Sequence, residues 1–351
     1  MRGFELFVAV AATALAALAQ GWSPRLAADY LDVRQQEWNA WKPAQASGGA
    51  CFSCHTNMTY LLARPSLRRA LGETEPTGYE KAALEGLRRR VDMHEALEIN
   101  SAFAKDPLAT QATGVETVFA AYFLAVQDHG GPATPETERA LERLCKLQVR
   151  GGKSAGSWPW FLLDLDPWET TESPYYGAAF ASMAFAAAPA AYRERPGVSE
   201  RIVALNEYLR GATPAQPLHN RMLLLWVGGQ SKSAREHLID EIVAKQLPDG
   251  GWAIGALGPF KQHPQAPASE GGNAYATAYT AFLLGRGGVP RSNPALSRAL
   301  DWLRRRQDPK GYWDVSSMNK HFPEGSMEEG FMRDAATAFA VLALVEDTAQ
   351  P

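Results

Sequence analysis

The chain has 351 residues, of which 46% are hydrophobic and 21% charged, and its formal net charge is −3. These proportions are those of a globular protein long enough for one large domain or two small ones. The near-neutral charge and the lack of a basic stripe with interleaved aromatic residues argue against nucleic-acid binding.

The first 20 residues have the pattern of an export signal. Arg2 precedes the apolar run 6–19, which ends in the tripeptide ALA, as in a signal peptide with a small-residue cleavage site. The run is shorter than the roughly 20 apolar residues that a membrane-spanning helix needs, although a retained N-terminal anchor is the alternative. We therefore predict a signal peptide over 1–19 and a periplasmic or otherwise exported mature protein without a transmembrane span.

Two of the three cysteines lie in one short motif. In GGACFSCHTNM (48–58), Cys51, Cys54 and His55 have the spacing C-x-x-C-H, which is typical of covalent haem attachment with the histidine as iron ligand. With Thr56 the motif resembles the C-x-x-C-H-T common in c-type cytochromes. Two alternatives remain: a Cys51–Cys54 disulfide beside an idle histidine, or half of a four-ligand zinc site. We predict one covalent haem c, with His55 as the proximal ligand.

The distal iron ligand is harder to assign. VDMHEALE offers Met93 or His94, which we favour because a neighbouring helix would present them. A later loop offers four further candidates, Met318, His321, Met327 and Met332. Each could equally be a core methionine or a surface histidine. An open sixth position would suit catalysis, whereas two ligands would suit electron transfer.

Beyond the motif the sequence predicts helices. Residues 57–72 (NMTYLLARPSLRRALG) predict a short helix broken at Pro65. Residues 79–98 predict an amphipathic helix, with apolar side chains three and four positions apart. From about residue 111, amphipathic helices ending in Gln and a G-x-W turn alternate with Ala-rich helices. The amphipathic segments with their turns are 140–160, 238–252 and 298–314, and the Ala-rich segments are 116–126, 175–188, 220–229, 275–285 and 334–345.

This alternation predicts an all-α fold. Helices that are apolar nearly all round must be surrounded by protein, and repeats that bury their faces only against neighbours build a solenoid or a closed ring. Gly and Pro between the helices leave little room for strands. We predict an N-terminal segment over 20–110 that carries the haem motif, and over 111–351 a single α/α toroid of about five to six helix pairs.

The turns also carry a family resemblance. QDPKGYW (307–313) and QLPDGGW (246–252) resemble the QW repeats of squalene–hopene and oxidosqualene cyclases. The helix alternation over about 110–347 looks like the α/α toroid shared by terpenoid cyclases and protein prenyltransferase β-subunits. The resemblance implies structural Gln–Trp pairs, in which the glutamine ends a helix and meets the tryptophan of the turn. These pairs would be Gln148 with Trp158, Gln246 with Trp252, and Gln307 with Trp313.

The catalytic motifs of these families are incomplete here. Class II cyclases use a D-x-D-D proton donor between two toroids, whereas DLDPWE (164–169) has Asp164 and Asp166 followed by proline, and the chain is long enough for one toroid. The zinc site of the prenyltransferases needs a D-x-C motif, and Cys145 stands in a different context, where we expect a free buried cysteine. The resemblance therefore implies a fold rather than an activity.

Polar residues open the Ala-rich segments, and in a toroid these positions would gather at one end of the central cavity. They are Glu116, Tyr175, Tyr176, His219, Asn220, Tyr275, Thr277, Arg333 and Asp334. Apolar walls could raise a carboxyl pKa towards acid catalysis, so Asp334, Asp166 and Glu116 are candidate catalytic residues. The alternative is that such acids only stabilise helix N-termini. The loop 164–176 could line the same mouth, and 263–272 could be a lid or an ordered surface loop.

Three functions remain open. The first is an exported c-type haem protein whose toroid binds a hydrophobic ligand, such as an isoprenoid or a quinone, while the haem exchanges electrons with a partner protein. The second is a terpenoid cyclase or isomerase with Asp334 or Asp166 as proton donor and a disulfide in place of haem. The third is a haem-free binding scaffold. We favour the first, because the C-x-x-C-H motif follows an export signal.

Overall fold

A computed structural model describes residues 21–46, 49–92, 105–261 and 271–345. The predicted signal peptide, Met93, His94 and nearly all of the loop 263–272 lie outside these residues. The described chain is all-α, as predicted, apart from the two-residue strands β1 (Gln45–Ala46) and β2 (Gly49–Ala50), which pair antiparallel just before the cysteine motif.

Helices account for most of the described chain. The first five are α1 (Pro24–Ala40), α2 (Asn57–Ala70), α3 (Gly78–Asp92), α4 (Leu108–Gln127) and α5 (Pro135–Leu147). The next five are α6 (Pro174–Ala187), the short α7 (Ala190–Arg193), α8 (Pro196–Ala212), and the short α9 (Leu218–Arg221) and α10 (Leu224–Val227). The last four are α11 (Lys232–Val243), α12 (Ala274–Arg286), α13 (Pro294–Arg304) and α14 (Phe331–Leu344). Within the described ranges, no helix has the length and hydropathy needed to cross a membrane.

Two predicted helices differ from the observed ones. Pro65 does not break α2, which runs through it from Asn57 to Ala70 and has ten of its 14 residues buried. Packing on every side therefore outweighs the one backbone hydrogen bond that the proline removes. The segment 220–229, expected as one Ala-rich helix, forms only the short α9 and α10 before Gly228 and Gly229, both at positive φ.

The Ala-rich helices pack against one another in a continuous series. Helix α4 contacts α6, α6 contacts α10, α10 contacts α12, and α12 contacts α14. The series continues into the N-terminal part of the chain, because α14 packs along α2, the helix that follows the cysteine motif. Phe52 within the motif contacts Phe119 and Phe123 of α4, at ring-centroid distances of 5.8 and 5.6 Å. The cysteine motif therefore lies between the first and the last Ala-rich helices.

More polar helices pack against the outside of this series. Helices α5 and α13 are the most strongly amphipathic, and each lies against two Ala-rich helices: α4 and α6 for α5, α12 and α14 for α13. Helix α1 covers α2 and α14 in the same way, and α8 covers α6. The two layers bury one continuous apolar core that runs through the described ranges.

The three G-x-W turns share one geometry. In each turn the glutamine amide donates one hydrogen bond to the glycine carbonyl of its own turn and one to a carbonyl of the next outer helix or its N-cap. The acceptor pairs are Gly156 and Arg201 for Gln148, Gly250 and Ala295 for Gln246, and Gly311 and Ser23 for Gln307. Each indole Nε1 donates to the last turn of the preceding helix, at Leu144, Ile242 and Leu303. Glutamine and tryptophan thus secure the same turn through different carbonyl partners.

The glycine of each turn has two structural reasons to be glycine. Gly156, Gly250 and Gly311 have φ values of 95, 95 and 98°, which disfavour any residue with a Cβ. A Cβ on Gly311 would also lie 2.1 Å from the carbonyl oxygen of Leu26 in α1. The other two glycines approach α8 and α13 in the same manner. The first turn therefore packs against α8, the second against α13 and the third against α1, so α1 takes the same place relative to its turn as the other two helices.

Candidate functional site

The segment between β2 and α2 holds the cysteines in a loop built from local hydrogen bonds. The side chain of Asn57 accepts from the backbone N–H and the hydroxyl of Ser53, at 2.9 and 2.7 Å. The indole of Trp38 donates to the carbonyl of Cys51 at 2.9 Å. The Cys54 thiol is buried, the Cys51 thiol is half-buried, and the two are not joined. Burial raises the pKa of both thiols, that of Cys51 to about 12.

His55 has a fixed ring plane. It stacks on Phe331 of α14 with 3.6 Å between ring centroids and 19° between planes, and the edge of Trp38 approaches at 5.3 Å. Burial, with a smaller contribution from Arg34, lowers the pKa of His55 to about 3, so the imidazole is neutral at physiological pH. Nδ1 lies 2.9 Å from Thr56 Oγ1, whereas Nε2 has no hydrogen-bond partner among the described residues.

Asp334, a candidate acid, accepts four hydrogen bonds. Thr56 Oγ1 donates at 2.8 Å, Tyr30 at 2.8 Å, and Arg34 through Nε at 2.7 Å and Nη2 at 3.1 Å. Burial raises the pKa of Asp334, and the ion pair with Arg34 opposes that rise. Burial lowers the pKa of Arg34, but Asp334, Tyr30 and Glu37 together raise it by more, so the guanidinium stays charged. Asp334 therefore contacts the cysteine motif through Thr56, as a hydrogen-bond acceptor that is ion-paired with Arg34.

Glu116, the second candidate, also pairs with a buried cation beside the motif. Arg90 of α3 donates to both of its carboxylate oxygens, at 2.6 and 3.1 Å. The backbone N–H of Phe52 lies 3.4 Å from the same carboxylate. The charge of Glu116 adds to the effect of burial on the pKa of Cys51. Glu116 therefore secures the first half of the motif against α4.

Asp166, the third candidate, forms hydrogen bonds with two other loops. Its carboxylate accepts from the backbone N–H of Lys261 at 2.7 Å, and its main chain exchanges hydrogen bonds of 2.9 and 2.8 Å with the Asn319 side chain. Asp164 forms an ion pair with Lys261. The two aspartates line a surface pocket of about 360 Å³ with Glu172 and Lys261. Burial raises the pKa of Asp166.

Glu169 is a residue that sequence reasoning did not single out. Its carboxyl group has no hydrogen bond or ion pair within the described ranges, and burial alone raises its pKa to about 7. Its charge contributes to the raised pKa of Cys54, so it lies near the motif. The side chains of Glu169, His55 and Cys51 are each half-buried, and we call the region around these three side chains the recess. The acid-rich stretch 164–176 indicated that an acidic side chain could line the cavity, but the sequence did not show which carboxyl group would be buried.

An aromatic wall adjoins this recess. Trp168 lies 6.4 Å from the ring of His55 and 5.5 Å from that of Tyr275. Tyr275 Oη is 2.8 Å from His219 Nε2, and His219 stacks on Tyr279 at 4.6 Å. Burial lowers the pKa of His219 to about 4. The buried hydroxyl of Tyr176 has no hydrogen-bond partner among the residues that the structure describes, and burial, with a smaller contribution from Cys54, raises its pKa.

The structure brings together some of the predicted helix-opening residues and separates others. His219 and Tyr275 meet, and Asn220 orients His219 through a 3.0 Å contact at Nδ1. Thr277 instead accepts a hydrogen bond of 2.9 Å from the backbone N–H of Trp252. Arg333 pairs with Asp314 and Glu329. Tyr175 bonds to Thr213 at 2.8 Å.

The remaining cysteine and the distal-ligand candidates have ordinary surroundings. Cys145 is half-buried, 3.8 Å from Tyr192 Oη. Met318, Met327 and Met332 are buried, and His321 is exposed.

The donor set fits a haem c better than a metal held by protein ligands alone. Within the described part of the chain, no group of three or more His, Cys, Asp or Glu side chains is arranged to hold a metal ion. A porphyrin brings four ligands of its own and needs from the chain two thiols and one neutral imidazole nitrogen, which Cys51, Cys54 and His55 offer. No known family model matches this sequence, and no curated protein aligns with it.

Proposed function

We propose that this chain is an exported c-type haem protein, with haem joined to Cys51 and Cys54 and its iron bound by His55. The observation that carries the proposal is the state of His55, a neutral imidazole with Nδ1 engaged and Nε2 without a partner among the described residues, directly after two free thiols in the chain. When bound, the haem would supply one-electron redox chemistry.

We also propose that the helices form an α/α toroid. The proposal is supported by the series of contacts from α4 through α6, α10, α12 and α14 to α2. The repeated turn geometry adds to this support, since the third turn is tied to the N-terminal helix through Gln307 and Ser23. In such a ring the cysteine motif and the aromatic wall belong to one central cavity.

The chain's own residues have three roles in this proposal. Phe331 and Trp38 fix the plane of the His55 ring, so the Nε2 lone pair keeps one direction. Trp168, which lies between the rings of His55 and Tyr275, would be the aromatic side chain closest to a hydrophobic ligand bound beside His55, such as a quinone or an isoprenoid. Glu169, with a pKa of about 7, could hold or release a proton at the same recess. Reduction of a quinone takes up protons as well as electrons, so this carboxyl group suits such a ligand, with a redox protein as the electron partner.

The test is expression of the full chain in a bacterium with cytochrome c maturation factors. We expect a red protein whose mass exceeds that of the mature polypeptide by one haem and whose pyridine haemochrome spectrum shows two thioether bonds. Cys51→Ala and Cys54→Ala should each leave a single thioether, and Cys145→Ala should leave the spectrum unchanged. A colourless protein with the mass of the polypeptide alone contradicts the proposal.

A second candidate is a terpenoid cyclase or isomerase, and Glu169 favours it over the acids first considered. A carboxyl group with a pKa of about 7 beside an aromatic wall could protonate an alkene, and tyrosine and tryptophan rings would stabilise the resulting cation. Turnover of squalene or a prenyl diphosphate by the haem-free protein, abolished by Glu169→Gln and retained in Asp166→Asn, would support this function. No turnover by the wild-type protein would contradict it.

A further inference from the structure

Thr56 connects the histidine of the motif to a buried ion pair of α14. Its Oγ1 lies 2.9 Å from His55 Nδ1 and 2.8 Å from Asp334 Oδ2. Arg34, 2.7 Å from Asp334, keeps that carboxyl group ionised, and a carboxylate can only accept hydrogen bonds. Thr56 has one hydroxyl proton, which must therefore point to Asp334. The threonine oxygen is left to accept, so His55 must donate from Nδ1.

We propose that Thr56, oriented by Asp334, is a positioning residue that fixes His55 as the Nδ1–H tautomer and leaves the Nε2 lone pair facing the recess. The role of that lone pair as an iron ligand rests on the proposed function, whereas the tautomer does not. The order of hydrogen bonds is His55 to Thr56 to Asp334 Oδ2, while Tyr30 and Arg34 Nε donate to Oδ1 and Arg34 Nη2 donates to Oδ2.

The arrangement has an electronic consequence for a bound metal. A hydrogen bond accepted from the second nitrogen of a ligating imidazole makes that imidazole a better electron donor, and a better donor favours the oxidised metal. Here the acceptor is a neutral hydroxyl polarised by a buried carboxylate rather than the carboxylate itself. Thr56 should therefore lower the reduction potential of a haem held by His55.

Thr56 can be altered in a matched pair of variants. Thr56→Val keeps the shape and removes the hydroxyl, and Thr56→Ser keeps the hydroxyl and removes a methyl group. In protein matured with haem, we expect a higher midpoint potential in Thr56→Val than in wild type, and wild-type behaviour in Thr56→Ser. The pyridine haemochrome spectrum should show the same covalent haem content in all three proteins. A difference in midpoint potential then reflects the His55 ligand and not incomplete haem attachment. No change in Thr56→Val, or equal shifts in both variants, would overturn the proposal.

A second readout separates this proposal from the proposed function. In the folded full chain expressed without maturation factors, ¹⁵N NMR of labelled histidine distinguishes the two tautomers. We expect the His55 proton on Nδ1 in wild type and Thr56→Ser, and a population with the proton on Nε2 in Thr56→Val. A wild-type proton on Nε2 overturns the positioning role whether or not haem binds. Nδ1–H in a chain that never takes up haem supports the positioning role and removes the proposed function.

Discussion

Ser23 and Gln307 lie 284 positions apart and exchange two hydrogen bonds. The backbone N–H of Ser23 donates to the glutamine Oε1 at 2.6 Å, and the glutamine Nε2 donates back to the Ser23 carbonyl at 3.0 Å. The Ser23 hydroxyl also accepts from the backbone N–H of Leu26, so one residue caps α1 and holds that helix against the last turn.

Removing this connection should loosen the N-terminal helix. We expect Gln307→Ala to lower the free energy of unfolding by about 1–3 kcal/mol, since it strands partly buried backbone groups that lose their partner. Urea unfolding followed by circular dichroism measures the change. Gln36→Ala is the control, because Gln36 is exposed and only accepts from Tyr79, and it should cost less than about 0.5 kcal/mol. Equal effects of the two variants would contradict the role of Gln307.

Two glycines at positive φ give a matched pair for the turn geometry. Gly311→Ala should cost about 3 kcal/mol or more, or prevent folding, because its Cβ would meet the Leu26 carbonyl in addition to the backbone strain. Gly325 has φ of 75° and open space around its Cβ position, so Gly325→Ala should cost about 1 kcal/mol from strain alone. Thermal unfolding of both variants tests the difference. Similar melting temperatures would argue against the close approach of α1.

The buried ion pair should be far more sensitive than the loop aspartate. Asp334→Asn removes the buried carboxylate partner of Arg34 and leaves it only the exposed Glu37, so we expect a loss of about 3 kcal/mol in unfolding free energy. Asp166→Asn replaces a partly exposed acceptor, and we expect about 1 kcal/mol or less. Chemical denaturation at neutral pH measures both losses. A neutral effect of Asp334→Asn would mean that the pair does not stabilise the motif.

Glu169 should make stability depend on pH. Burial raises its pKa to about 7 in the folded chain from the ordinary value of 4.5. Between these values the folded state holds a proton that the unfolded state has released, so stability falls as pH rises. The loss should be on the order of 2 kcal/mol between pH 5 and pH 8. Unfolding curves of wild type and Glu169→Gln at both pH values should differ in this slope. Parallel pH dependences would show that the carboxyl group is not buried as described.

The sequence predicted the all-α fold because its signals are local. Ala-rich segments such as 334–345 are apolar on every face, and the three Gln–Gly–Trp turns repeat a pattern that hydrogen bonds within a few residues can satisfy. The position of α2 was not predictable in this way. Its Arg-containing sequence around Pro65 resembles none of the other inner helices, and it lies beside α14 because of contacts made across almost the whole chain.

In the candidate site, too, some features follow from local sequence and others from contacts between distant parts of the chain. C-x-x-C-H identifies Cys51, Cys54 and His55 from spacing alone. The state of His55 depends on Asp334, 279 positions away in sequence numbering, and the inward direction of Glu169 depends on the path of a loop. Acids that open helices can be found by inspection, whereas their partners, Arg34 for Asp334 and Arg90 for Glu116, come from other helices.

The pairing of α1 with the final G-x-W turn means that the fold is completed only after nearly the whole chain has been synthesised. Residues 21–70 leave the ribosome long before α14 and Gln307, which cover them. Non-local pairing of this kind folds slowly. The Cys54 thiol, 3% exposed once the fold is complete, is accessible to a modifying enzyme during that delay. In the exported haem protein that we propose, this delay would provide the interval in which haem is attached to the motif.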